Sequence, residues 1–64
     1  MERTGSREQL IKDLNDLAEG AEHLGRDKLA KSAKEAAEAL AKGTRQVSAG
    51  YITYKVTDLG DTTH

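Results

Sequence analysis

"GYITYKVTD", residues 50–58, decides the fold, because it alone carries strand chemistry in a chain otherwise patterned as helix. It holds both tyrosines, one of the two isoleucines and one of the two valines. Ile52, Tyr54 and Val56 alternate with Tyr51, Thr53, Lys55 and Thr57, a period of two with one more apolar face. A strand standing alone leaves its backbone donors and acceptors unpaired. "TRQVS", residues 44–48, offers an internal neighbour, with Ala49-Gly50 as the turn. That dipeptide is a poor type I′ pair, and a type II′ turn places Gly first. The expectation is that a second chain supplies the other edge. Another copy, in a two-fold dimer, is the simplest source. A short internal β-hairpin is the alternative.

Upstream of this stretch the pattern is helical. Ser6 with Gln9 reads as a capping box at the start of helix one. Leu10, Leu14, Leu17, Ala21 and Leu24 follow in steps of four and three, a heptad seam widened by Ile11 and Ala18. Gly20 interrupts the pattern and marks either a bend or a close helix approach. Gly25 stands where a C′ glycine belongs, and Asp27 suits the N-cap of helix two. The second seam is Leu29, Ala33, Ala36 and Leu40, flanked by Ala30, Ala37 and Ala41, and Gly43 ends it. The short "GRD" link favours antiparallel neighbours. The predicted fold is mainly α with a C-terminal β element: an antiparallel two-helix hairpin, then one strand or a short β-hairpin, completed by a second chain. One small domain covers 1–64, with helices over 6–24 and 27–42, a strand over 50–58 and a frayed tail over 59–64.

Composition explains why a partner is expected. Of 64 residues, Leu, Ile and Val supply 11, Ala supplies nine, and Phe and Trp are absent. So thin a core rarely yields more than roughly 3–5 kcal/mol. With no Cys, disulfides and thiolate metal sites are excluded. The predicted partner or dimer interface is Leu10, Leu14, Leu17, Leu24, Leu29, Leu40, Tyr51, Ile52, Tyr54 and Val56. Ile52, Tyr54 and Val56 are expected to cover the helical seam.

Ten basic and eleven acidic residues give a net charge of −1, which does not mark a polyanion binder. No apolar run approaches the roughly 18–20 residues of a membrane helix, and "MERTGS" lacks a signal-peptide apolar region, so a cytoplasmic protein is expected. Asp13, Asp16, Glu19 and Glu22 form an acidic helix face. Arg26, Lys28, Lys31 and Lys34 gather at the start of helix two, and with Lys55 they are the candidate nucleic-acid contacts. Ala21 and Gly25 match a helix-turn-helix turn, but Arg26 and Lys31 fall where that motif packs apolar residues. No nucleotide fingerprint and no nucleophile–base arrangement is present, so no enzyme activity, cofactor, metal or small-molecule substrate is expected. His23 reads as a cation near a helix C-terminus.

Within "NDLAEG", residues 15–20, Glu19 and Gly20 resemble the inhibitory-helix motif of small antitoxins that silence Fic-domain AMP transferases, with Asn15 in place of the motif's Ser or Thr. The resemblance implies a Glu19 that blocks the nucleotide phosphate site of a partner enzyme. The leading expectation is a small non-enzymatic regulator that binds itself or another protein, of the phage, plasmid or toxin–antitoxin type by analogy of size. A dimeric DNA-binding regulator is the alternative.

Overall fold

The computed structural model describes residues 1–57; Asp58, the expected frayed tail at 59–64 and His64 lie outside the described residues. The elements run β1 (Glu2–Gly5), α1 (Arg7–His23), α2 (Asp27–Ala41), β2 (Gln46–Ala49) and β3 (Ile52–Val56). Two helices therefore pack on one face of a three-stranded mixed sheet of order β1-β3-β2.

Both helices end for the local reason the sequence contains. Gly25 and Gly43 take positive φ, 74° and 119°, a region open to glycine at little cost. After α1, the Arg26 N–H donates to the Ala21 carbonyl at 2.8 Å and the Gly25 N–H to Glu22 at 3.1 Å. After α2, Thr44 donates to Ala39 and Gly43 to Leu40, both at 3.1 Å. Each pair is a Schellman cap. At the start of α1 the Ser6 hydroxyl accepts from the Gln9 N–H at 3.2 Å. The reciprocal half of the capping box is not made, because the Gln9 amide turns to Asp13 instead. Asp27 is not the N-cap of α2. Arg26 occupies that position without a side-chain cap, and Asp27 is the first helical residue, where its charge suits the dipole. Gly20 lies within an unbroken α1, and a Cβ there would meet nothing, so it serves no close approach.

The expectation of a second chain completing the sheet is corrected by the fold itself: β3 is the central strand and the same chain covers both its edges. β2 pairs with it antiparallel, Ala49 opposite Ile52 and Val47 opposite Tyr54. The connecting turn is therefore Gly50-Tyr51, one residue later than the Ala49-Gly50 frame. Gly50 has φ 63° and Tyr51 does not have positive φ, so Gly comes first, as a type II′ turn requires. On the other side β1 pairs parallel, Arg3 opposite Tyr54 and Gly5 opposite Val56. This N-terminal strand was not expected. A parallel neighbour needs no tight turn, so no local turn signal betrays it, and its charged residues are ordinary for an edge.

Strand alternation then sorts the sheet into two faces. Val47, Ala49, Ile52, Tyr54 and Val56 pack toward the helices, where they join Leu10, Leu14, Ala18, Ala33, Ala36, Ala37 and Leu40 in one core. Leu14 and Leu40 are completely buried, and Tyr54 nearly so. Burying the Tyr54 ring pushes its phenol pKa upward; the Arg3 charge opposes this and the Asp13 carboxylate adds to it. The small alanines of α2 let that helix sit close to both α1 and β2. Glu2, Thr4, Gln46, Ser48, Thr53 and Lys55 occupy the other face, which is polar throughout.

Candidate interaction surface

The ten residues expected at an interface divide into two groups. Leu10, Leu14, Leu40 and Tyr54 are buried, and half-buried Val56 packs against them, so the chain's own core uses them. Ile52, Tyr54 and Val56 do cover the helices, as expected. Leu17 and Ile52 also pack against that core, but with Leu29, Tyr51, Met1, Ala49 and Gly50 they line an open cleft of about 530 Å³. Leu24 lies outside that lining but is itself 74% exposed. Among the described residues the exposed large apolar side chains are Met1, Leu24 and Tyr51, and Tyr51 is 96% exposed.

The cleft is built by the β2–β3 turn resting on α2. Gly50 approaches so closely that a Cβ there would lie 3.0 Å from Leu29 Cδ1. The turn projects Tyr51 outward at the end of the molecule, and the Met1 amino group donates to its carbonyl at 3.2 Å. Arg26 and Lys28, at the start of α2, complete the rim together with Ser32. Among the described residues no carboxylate lines this cleft. Asp27, between the two cations in sequence, lines two neighbouring hollows, one of which Arg26 and Lys28 also border.

The candidate nucleic-acid contacts line different hollows of the molecule. Lys31 and Lys34 line a hollow shared with Glu22, Asp27, Glu35 and Glu38. Lys34 Nζ pairs with Glu22 at 2.8 Å, and that hydrogen bond and charge hold the Glu22 carboxyl below its usual range. Lys55 lies on the polar sheet face, paired with Glu2 at 3.0 Å. Of these candidates Arg26 and Lys28 line the cleft, and both also border a hollow shared with Asp27. The acidic face of α1 is likewise divided, since Asp13 pairs with Arg3 at 3.2 Å and Glu22 with Lys34. Asn15, Asp16, Glu19 and Gly20 are exposed on α1. His23 occupies the last turn of α1, as expected.

One contact that the sequence reading missed closes the opposite end. Arg7, in the first turn of α1, sends its guanidinium to the C-terminus of α2. It donates to the carbonyls of Leu40, Thr44 (2.7 Å) and Gly43 (3.5 Å). No basic residue lies in the last turn of α2, so Arg7 supplies the cation which that end of the helix dipole favours. Its signal is tertiary, and no spacing in the sequence marks it.

Among the described residues no cluster of three His, Cys, Asp or Glu side chains could hold a metal, and no helix is long and apolar enough to cross a membrane. Comparison of the chain with protein-family models, with curated proteins and with solved structures yields no match.

Proposed function

We propose that the chain is a small non-enzymatic protein-binding module that acts through the cleft between the Gly50-Tyr51 turn and the start of α2. The exposure of Tyr51 carries this reading. A tyrosine at 96% exposure, beside Met1 and above half-buried Leu17, Leu29 and Ile52, leaves apolar surface in water that a partner would cover. Tyrosine is also a residue type enriched at interfaces. Among the described residues the cleft lining pairs no nucleophile with a histidine or carboxylate.

The partner in this reading is another protein rather than a second copy. β3 already has both neighbours from its own chain, which removes the original reason to invoke a copy. Light scattering over a range of concentrations is expected to return the monomer mass. A photoreactive residue placed at position 51 is expected to crosslink to a discrete partner in cells that make the protein. The same probe at Thr53, on the polar sheet face, is expected not to. Equal crosslinking at both positions, or none at 51, would overturn the proposal.

A further inference from the structure

We infer that the cleft takes an acidic segment of its partner, with one bulky apolar side chain seated against Tyr51 and carboxylates on either side of it. This rests on the reading of the cleft as the binding surface and adds the chemistry of what binds. The apolar part follows from the floor, where Leu17, Leu29 and Ile52 are half-buried and Tyr51 stands free above them.

The acidic part follows from charge. Arg26 and Lys28 supply the only side chains charged at neutral pH among the described residues that line the cleft. Among the described residues neither is in an ion pair, whereas Arg3, Lys34, Lys42 and Lys55 each have a carboxylate within 4 Å. Two unpaired cations beside apolar surface favour a negatively charged partner and repel a positive one. Their aliphatic stems also lengthen the apolar floor while the charged heads stay in water. The same charges disfavour a two-fold pairing of this cleft with its own copy, which would bring two cationic rims together. The cleft is shallow and open, so it fits a projecting side chain of a macromolecule better than a small ligand that must be enclosed.

The test is a titration of the labelled full chain, followed by amide and methyl NMR shifts. The probes are three synthetic peptides: an acidic peptide with one central leucine, the same peptide with serine for that leucine, and the same peptide with lysine for every acid. The first is expected to move the signals of Leu17, Leu29, Gly50 and Tyr51, and to bind more weakly as salt rises, because exposed charges are screened beyond about 8 Å at physiological ionic strength. The serine and lysine peptides are each expected to bind at least about tenfold more weakly. Arg26→Glu combined with Lys28→Glu is expected to reverse the preference between acidic and lysine peptides. Acidic residues at the start of α2 suit its dipole, so this variant keeps the fold. A lysine peptide that binds the cleft as well as the acidic one would overturn the inference and leave the binding-surface reading standing. Shifts confined to the Lys31 and Lys34 hollow would overturn it too. Failure of the crosslink at position 51 is the separate result that removes the surface itself.

Discussion

The two ends of the molecule solve opposite problems. At one end the chain closes on itself. Gly5 lies beside Val56, the Val56 N–H donates to the Arg45 carbonyl at 2.8 Å, and the Arg7 guanidinium gathers the last carbonyls of α2. Polar groups there find partners within the fold. At the other end the Gly50-Tyr51 turn, Met1 and the start of α2 leave apolar side chains and two cations exposed. The difference separates groups that hold the fold together from groups that the fold holds out.

Substitutions at the closed end should therefore cost stability, and those at the open end should cost binding. The largest effect is expected for Leu40→Ala. Its side chain is completely buried, and such truncations cost about 2–5 kcal/mol. That rivals the whole stability of a domain this small, so far-UV circular dichroism should show a largely unfolded chain at room temperature. Arg7→Ala comes next. The loss of charged hydrogen bonds to carbonyls in a partly exposed setting should cost about 1–2 kcal/mol. At about 4–8 °C per kcal/mol, the melting temperature should fall visibly. An unchanged melting temperature would remove Arg7 as the clamp of the closed end.

Gly50→Ala sharpens the contrast, since it is the one place where the open end is under constraint. A side chain at φ 63°, with its Cβ 3.0 Å from the movable end of Leu29, should cost about 1 kcal/mol. The cleft should deform with it, read as shifts in the Leu29 methyl signals. The smallest effect on stability is expected for Tyr51→Ser, within about 0.5 kcal/mol. The same substitution should nevertheless abolish capture of the acidic leucine peptide. A melting temperature that drops as far as in Arg7→Ala would mean that Tyr51 is part of the fold and not of a contact surface.

What the sequence displayed and what it hid follow from the range of each interaction. Ser6, Gly25 and Gly43 act on backbone within a few positions of themselves, so the start of α1 and the ends of both helices were readable. By contrast α2, which has no side-chain cap, begins at Asp27, one residue before the start expected from an Asp27 cap. The seams were readable only in part. Each helix faces both its neighbour and the sheet, so Ala18, Ala30 and Ala37 are buried while Leu24 is exposed and Leu29 half-exposed. A stripe wider than a heptad seam is needed to cover two surfaces. β1 and the Arg7 clamp are long-range, and no local residue announces either. The cleft lay between these cases. Tyr51, Ile52, Leu17, Leu29, Arg26 and Lys28 each stood out for bulk or charge, but their meeting depends on which residues form the hairpin turn. A turn frame one residue earlier would no longer put Gly50 first, as the turn onto Leu29 requires.

The parallel pairing of β1 with β3 also orders events in time. Met1 and Tyr51 touch across 50 positions of chain, and contacts of such separation form late because the intervening loop must close first. A growing chain can assemble the α1–α2 hairpin once residue 41 has been made, yet its first strand has nothing to pair with until residue 56 follows. In that interval Leu10, Leu14 and Leu40 lack the Tyr54 ring that covers them. This interval is when the nascent chain is most exposed to aggregation and to proteases.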